Sequence, residues 1–300
     1  PGQYQEAFPM TVPKGVTIQG DSIRGVEIYP TSATQSNDAF LVNSDVTIEN
    51  ITLKDYYYNS GANTGYGFRF VNNFSTTIFE QEPGRSPYIR NITVLTKGTT
   101  TSASDPRGFD SGDAGKGALV DGQVVASNSR SASMLFHSVT FITPGVTGLV
   151  LKSGVQVEWL NSFTYFANRG IYMSQGSAGR TTPEATTVYG GELRTIASAN
   201  VYGNKGIEAD GANCLAYMIN QNFAYIGSGK NVTNDNTTTI QANEVLTSNG
   251  GSVVYTSTDQ SGNFRIGDDF QIDQTTGTIS GRSFSKSLFS EMTPFILALS

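Results

Sequence analysis

The chain is 300 residues long with 15% charged residues, and its 19 basic and 25 acidic side chains give a net charge of −6. Because no basic cluster could neutralise a run of phosphates, nucleic acid is excluded as a partner. Cys214 and His137 are the only cysteine and histidine, which excludes an intrachain disulfide and a Cys/His zinc site, and we expect neither a metal nor another cofactor.

The composition favours strands and turns. Glycine accounts for 33 residues, and Ser, Thr and Asn recur at the expense of the straight-chain helix formers. No apolar run approaches the length of about 18 residues that a membrane-spanning helix requires, so we expect no membrane insertion.

Near the N-terminus, apolar and polar residues alternate over residues 8–21, which predicts the first strands of a stack of coils. Pro9 and Pro13 interrupt this segment, and a proline has no N–H group to donate to a neighbouring strand. We therefore expect the segment at an edge of the sheet rather than in its middle.

One short pattern, a small residue followed by apolar, any and apolar residues, recurs along the chain. Its members are Gly25–Ile28, Gly67–Phe70, Gly117–Val120, Gly148–Leu151, Gly170–Met173 and Gly206–Ala209, with Ala39–Val42 as a related segment. A second short strand follows after a polar break, as at residues 46–48 and 155–157. A third begins at Asn50, Asn91 or Ser138. Three short strands separated by turn residues are typical of one coil of a parallel β-helix.

A single coil cannot bury its inward apolar side chains, whereas coils stacked at about 4.8 Å enclose a continuous core. We therefore predict an all-β fold with a right-handed parallel β-helix (a solenoid) over residues 1–229. A linker or loop rich in Ser, Asn and Thr follows at 230–250. Residues 251–300 are expected to form a small module rich in β-hairpins, because apolar and polar residues alternate there around Gly and Asp turns.

Two segments resemble known proteins. Residues 2–20, from Gly-Gln-Tyr to Pro-Lys-Gly-Val-Thr-Ile-Gln-Gly, resemble the first coil of pectate-lyase-like β-helix proteins. The string Gly-Asn-Phe-Arg-Ile-Gly-Asp at 262–268 is similar to a module of tail-fibre and baseplate-associated proteins of contractile-tailed phages, particularly those of marine cyanobacteria. The resemblance implies a structural protein of the virion, located in a tail fibre, tailspike or baseplate.

The resemblance also implies partners. We expect a homotrimer that packs against other tail or baseplate proteins and contacts polysaccharide on the host surface. Two other functions stay open. A tailspike-like depolymerase would cut polysaccharide as a lyase or hydrolase, and a secreted β-helix adhesin would bind a surface without cutting it.

The first candidate for catalysis is Asp110, in a long loop that also holds Asp105, Arg107, Asp113 and Lys116. A lyase would use aspartates to bind Ca²⁺ and a basic residue to take the proton next to a uronate carboxyl. No Asp-x-Asp-x-Asp ligand spacing occurs in the loop. The acidic and basic residues of this loop are therefore better explained as charges that keep a Gly/Ser-rich loop in contact with solvent. We assign no metal site.

Glu158 is the second candidate, because an acid beside an aromatic residue such as Trp159 is common in sugar-cleaving sites. Alternation places Val157 and Trp159 on one strand face, so we predict that both point into the core and Glu158 points to solvent. Hydrolysis also needs a second carboxylate across the sugar. Glu27 and Glu208 share a slot of the repeat but lie many coils apart, so the repeat predicts no such pair.

Two further groups of residues have competing explanations. His137 follows Phe136 in a strand, and alternation turns it outward, so we expect a surface histidine rather than a member of a Ser/His/Asp triad. The three tyrosines at 56–58 fit a sugar-stacking surface, a subunit contact or a plug for a loop.

Asn50 and Asn91 each begin an N-x-T sequon, which is a glycosylation acceptor pattern. Asn also tolerates the left-handed backbone conformation of a tight corner, and its amide can stack on the Asn of the next coil. Both residues open the third strand of a coil, so we predict the structural role for them.

Overall fold

The computed structural model describes residues 2–71, 86–100, 112–122, 133–174, 179–181, 186–188, 191–210, 214–224, 232–233, 239–242, 256–258, 264–266, 270–272 and 279–281. In chain order the strands are β1 (Gly2–Glu6), β2 (Met10–Val12), β3 (Thr17–Gln19), β4 (Val26–Pro30), β5 (Phe40–Val42), β6 (Thr47–Lys54), β7 (Tyr66–Val71), β8 (Tyr88–Leu95) and β9 (Lys116–Asp121). They continue with β10 (Ser133–Ile142), β11 (Thr147–Lys152), β12 (Gln156–Leu160), β13 (Phe163–Tyr165), β14 (Arg169–Ser174), β15 (Gly179–Thr181), β16 (Thr186–Val188), β17 (Glu192–Ile196) and β18 (Ala199–Val201). The last are β19 (Lys205–Asp210), β20 (Leu215–Ile219), β21 (Asn222–Ala224), β22 (Val232–Thr233), β23 (Thr239–Ala242), β24 (Thr256–Thr258), β25 (Phe264–Ile266), β26 (Phe270–Ile272) and β27 (Ile279–Gly281). A 3-10 helix spans Ser32–Thr34.

Apart from the antiparallel hairpin β15–β16, the strands from β1 to β23 form three panels of parallel strands. The first panel contains β2, β5, β7, β9, β11, β14, β19 and β22 in that spatial order. The second contains β3, the first halves of β6, β8 and β10, then β12, β17, β20 and β23. The third contains β1, β4, the second halves of β6, β8 and β10, then β13, β18 and β21. The predicted all-β parallel β-helix is confirmed.

Each coil runs through the first, second and third panel in turn. Coil one consists of β2–β4, coil two of β5 and β6, coil three of β7 and β8, and coil four of β9 and β10. Coil five consists of β11–β13, coil six of β14, β17 and β18, and coil seven of β19–β21. The strand β2 lies at the end of the first panel, as the prolines at its flanks predict.

Inward side chains stack in columns, because the register stays constant from one coil to the next. In the second panel Ile48 pairs with Ile89, and Phe136 pairs with Trp159. All four are fully buried, and the rings of Phe136 and Trp159 lie 5.4 Å apart. Each inward residue therefore packs on its equivalents above and below, and one apolar core runs through the stack.

A column of glycines opens the first-panel strands of coils three to seven: Gly67, Gly117, Gly148, Gly170 and Gly206. A Cβ atom on Gly117 would lie 2.5 Å from the carbonyl oxygen of Gly148. The corresponding distance from Gly148 to Gly170 is 2.7 Å, and from Gly170 to Gly206 it is 2.6 Å. The small residue of the repeat is therefore required by the close approach of consecutive coils at this corner.

The grouping of Gly25–Ile28 with this column is wrong. Its strand β4 belongs to the third panel, where Glu27 pairs with Gln3 and Thr52. Glu27 and Glu208 therefore do not share a slot of the repeat. Inward and outward residues alternate in the same way in all three panels, so alternation by itself does not identify the panel to which a strand belongs.

A single residue with positive φ begins the turn from the second to the third panel in each of coils two to seven. These residues are Asn50, Asn91, Ser138, Asn161, Ala197 and Asn220, with φ between 45° and 60°. The side-chain amide of Asn91 donates to Oδ1 of Asn50 at 3.1 Å, and that of Asn161 donates to Oγ of Ser138 at 3.2 Å. The predicted structural role of Asn50 and Asn91 is confirmed.

The stack of paired strands extends beyond residue 229, the predicted end of the β-helix. The strand β22 pairs with β19, and β23 pairs with β20, within the segment predicted as a linker. The strands β24–β27 form a separate antiparallel sheet in sequential order. This confirms β-hairpins within the region predicted at residues 251–300.

Ala197 provides a test of the corner geometry. It is exposed and has a φ of 50°, a conformation that costs most residues about 1 kcal/mol or more and that Asn adopts more readily. We expect Ala197→Asn to raise the free energy of unfolding by about 0.5–1 kcal/mol in urea titrations. The control is Asn220→Ala at the same corner of the next coil, which should lower it. A loss of stability in Ala197→Asn would contradict the account.

Candidate functional site

Lys116 lies in a cage of tyrosines on the outer surface of the first panel. Its Nζ is 3.4 Å from the ring centroid of Tyr58 and 5.4 Å from that of Tyr66. The two rings meet edge to face with their centroids 5.8 Å apart. Both tyrosine hydroxyls donate to Oδ1 of Asn63, at 3.1 and 3.0 Å. Tyr58 from the loop between β6 and β7 and Tyr66 from β7 thus lie against the ammonium group, and their attraction for the cation opposes the larger cost of burying it.

The environment of Lys116 lowers its pKa to about 8. Burial of the amine is the larger cause, and the positive charge of Arg169 is the smaller one. Within the residues that the structure describes, Lys116 forms no ion pair. Its amine is therefore ready to bind an anion or, at mildly alkaline pH, to accept a proton.

Three ion pairs flank this cage, one on one side and two on the other. Arg69 Nε is 2.5 Å from Oδ2 of Asp38, and the Arg69 guanidinium lies 5.0 Å from the centroid of the Tyr66 ring. On the other side, Arg169 and Lys205 both pair with Glu208. Together with Lys116, four cations thus face two carboxylates, which leaves an excess of positive charge on this surface.

Apolar side chains lie between the ion pair of Asp38 and the ion pairs of Glu208. Leu119 and Val150 pack together with Tyr66 outside the main core, and Tyr58 and Tyr172 contact them. The Arg169 guanidinium lies 4.7 Å from the centroid of the Tyr172 ring. The surface therefore combines aromatic faces, aliphatic side chains and cations, the groups that suit the apolar faces and the acid groups of a charged sugar.

Many carboxylates of the described residues are held in ion pairs. These are Glu27 with Lys54, Asp38 with Arg69, Glu49 with Arg90, Asp55 with Lys97, Asp121 with Lys152, Glu192 with Arg194, and Glu208 with Arg169 and Lys205. In Glu27 the hydrogen bonds from Lys54 and Gln3 lower the pKa of the carboxyl. Acids held in this way are poor donors of a proton to a leaving group.

Glu158 has the orientation that alternation predicts. Val157 and Trp159 are fully buried, whereas Glu158 is partly exposed on the outer surface of the second panel. Its neighbours in the register are Leu135 and Arg194, so it does not face a second carboxylate along the strand stack. Among the described residues, neither register partner of Glu158 is therefore the second carboxylate that a hydrolase needs across the sugar.

The other candidate acid, Asp110, lies outside the described residues, as do Asp105 and Arg107. Of the same loop, Asp113 is described, and its Oδ1 accepts a hydrogen bond from the backbone N–H of Thr99 at 3.0 Å.

His137, Tyr56 and Tyr58 lie in three different environments. His137 is partly exposed, as predicted, and its ring is stacked on Tyr88 with Nδ1 3.0 Å from the tyrosine hydroxyl. Tyr56 is fully buried and donates to the carbonyl oxygen of Lys116 at 2.7 Å. Burial raises the pKa of Tyr56, as expected for a plug. Tyr58 instead forms part of the cage around Lys116.

Comparison with known proteins does not identify this chain: no family model matches it, and no curated protein matches it significantly. Across the described ranges the search for metal ligands finds no group of three or more His, Cys, Asp or Glu. In the same part of the chain, no helix has the length and apolar character needed to cross a membrane.

The cage makes stability depend on pH in a direction that can be measured. An unfolded lysine has a pKa of about 10.4, whereas Lys116 in the folded chain has a pKa of about 8. Between these values the unfolded chain binds the extra proton, so the free energy of unfolding rises with pH. Relative to Lys116→Met, the wild type should therefore gain stability from about pH 8 to 10.5.

The measurement is urea unfolding of both proteins across this range. Lys97→Met, at an exposed lysine, controls for the loss of one positive charge. A wild type that loses stability relative to Lys116→Met as the pH rises would contradict the assigned environment.

Proposed function

We propose that this chain is a structural component of a phage tail, in a fibre, tailspike or baseplate, and that it contacts polysaccharide on the host surface. In this role it is carried in the virion tail as a homotrimer together with other tail or baseplate proteins. The single observation that carries the proposal is the stack of in-register coils around one apolar core, an arrangement that suits a mechanical scaffold.

The mechanics of the stack support a structural role. Parallel pairing in all three panels satisfies the backbone of each coil through its neighbours, and the same apolar core runs through every coil. Such a stack resists local unfolding, because no internal coil can open without exposing the core of its two neighbours. The resemblance of residues 262–268 to phage tail proteins supports the location.

The surface around Lys116 supports the contact with polysaccharide. Tyr58 and Tyr172 are partly exposed on this surface, each with one ring face against a cation, and Lys116 forms no ion pair among the described residues. Acidic sugars present apolar ring faces together with carboxylates, so this combination suits them.

A depolymerase is the second candidate function, and the lowered pKa of Lys116 favours it. A lyase needs a base that removes the proton next to a uronate carboxyl, and an amine with a pKa of about 8 can do so. The ion pairs that hold the neighbouring carboxylates weigh against the hydrolase form of this function, which needs two free acids.

The proposal is tested by locating the chain. Antibodies raised against it should label the tail in immunogold electron microscopy of purified virions, and its peptides should appear in the mass spectrum of those virions. A chain found only as a free or cell-bound secreted protein, absent from particles, would contradict the proposal and favour the adhesin.

A second arm of the test uses the purified chain with acidic host polysaccharide. We expect no release of reducing ends and no absorbance from unsaturated uronates. Turnover that is lost in Lys116→Met or in Glu158→Gln would instead support the depolymerase. The Lys97→Met variant controls for non-specific loss of charge.

A further inference from the structure

The amine of Lys116 has different partners from the other lysines of known surroundings. Within the described residues Lys116 forms no ion pair, and its Nζ lies instead against the rings of Tyr58 and Tyr66. No carboxylate therefore holds this amine in its protonated form. The lysines that do pair with a carboxylate are Lys54, Lys97, Lys152 and Lys205.

The backbone fixes the position of Lys116. Its N–H group donates to the carbonyl oxygen of Gly65 at 2.9 Å, and its own carbonyl oxygen accepts from the Tyr56 hydroxyl at 2.7 Å. The residue is partly exposed, so a small molecule can reach the side chain from solvent. A fixed and accessible amine meets the first, geometric requirement for a nucleophile.

A surplus of positive charge lies along the same column of the first panel. After Lys116, the next positions of the column in the register are Thr147, Arg169 and Lys205. Only the short side chain of Thr147 therefore lies between Lys116 and Arg169 in this column. Arg169 and Lys205 share one carboxylate, that of Glu208. A carboxylate that enters here meets uncompensated positive charge beside the amine.

Burial and the neighbouring cation also change the chemistry of the amine. Burial, and to a smaller extent the charge of Arg169, lower the pKa of Lys116 to about 8. About half of this amine is thus unprotonated at pH 8, whereas an ordinary lysine with a pKa of about 10.4 is almost fully protonated. Only the unprotonated amine attacks a carbonyl carbon, and desolvation or a nearby cation is a common way to activate a lysine.

These features together define a class of ligand. The amine requires a carbonyl carbon, and the surplus of cations favours an acid group close to that carbon. Beside them lie Leu119 and Val150, which suit a small apolar substituent. A short 2-oxo acid, in which a ketone carries a carboxylate on one side and an alkyl group on the other, supplies all three.

We propose that Lys116 binds small 2-oxo acids covalently as an imine, with the carboxylate of the ligand beside Arg169. The amine nitrogen attacks the ketone carbon and forms a carbinolamine, which loses one water molecule and leaves a C=N bond. Both hydrogens of that water come from the amine and its oxygen comes from the ketone, so no oxidant or reductant is needed. The inference goes beyond the proposed function and does not depend on where the chain is located.

Reductive trapping with pyruvate tests the inference on the full chain. Sodium cyanoborohydride reduces the imine to a stable secondary amine, and mass spectrometry of the digested protein locates the carboxyethyl label. At pH 8 we expect at least about tenfold more label on Lys116 than on Lys97, which is an exposed lysine. Labelling of Lys116 should level off above about pH 9, where its amine is largely unprotonated.

Acetone is the matched probe, because it has a methyl group in place of the carboxylate of pyruvate. Lys97 in the same sample is the internal reference. The ratio of label on Lys116 to label on Lys97 therefore cancels the different intrinsic reactivities of the two ketones. This ratio should be several-fold higher with pyruvate than with acetone.

Arg169→Gln and Arg194→Gln form a matched pair of variants. Each arginine lies over a tyrosine ring, at 4.7 and 5.4 Å from its centroid, and each pairs with a glutamate. Arg194, however, belongs to the second panel. Arg169→Gln should remove the preference for pyruvate, and Arg194→Gln should keep it. Circular dichroism and thermal melts establish that both variants fold.

Three results would overturn the inference: equal labelling of Lys116 and Lys97, the same ratio with acetone as with pyruvate, or equal effects of the two arginine variants. Failure of the tail proposal is a separate result, because it is read from the location of the chain in virions and not from the labelling of the purified protein.

Discussion

Where each first-panel strand begins, the backbones of consecutive coils come so close that a Cβ atom on Gly148 would lie 2.7 Å from the carbonyl oxygen of Gly170. This close approach needs glycine in coils three to seven, and together with the parallel strand pairing it keeps those coils in register. The inward columns, such as Phe136 on Trp159, can pack only when that register is kept. The outward columns inherit the same register, which aligns Lys116 with Tyr66 and Leu95 with Ile142.

Much of the fold could be predicted from the sequence, because the residue types of the repeat mark the positions they occupy in each coil. Small residues such as Gly170 mark the crowded corner, Asn50 and Asn91 mark the left-handed corner, and alternation separates inward from outward residues. The sequence does not predict which panel a strand belongs to, because the alternation of apolar and polar residues is the same in all three panels. The segment Gly25–Ile28 is the example. The extension of the stack to β23 could not be predicted either. Strands of two to four residues among Ser, Asn and Thr are too short to show an alternation of apolar and polar residues.

The candidate site could be predicted only in part. Alternation correctly turns Glu158 outward and Trp159 inward, because it needs nothing beyond the strand itself. The cage around Lys116 brings together Tyr58 from a loop and Tyr66 from the preceding coil. Residues separated by fifty or more positions meet there, and the only sequence signal was the run of three tyrosines.

One pair of substitutions tests most directly whether the close approach of coils at the glycine column is needed for a stable stack. A Cβ atom on Gly170 would meet the Gly206 carbonyl oxygen at 2.6 Å, whereas on exposed Gly61 it would meet only Asn59 Oδ1 at 3.4 Å. In urea unfolding we expect Gly170→Ala to lower the free energy of unfolding by at least about 2 kcal/mol. Gly61→Ala should change it by about 0.5 kcal/mol or less. Equal effects of the two substitutions would contradict the account.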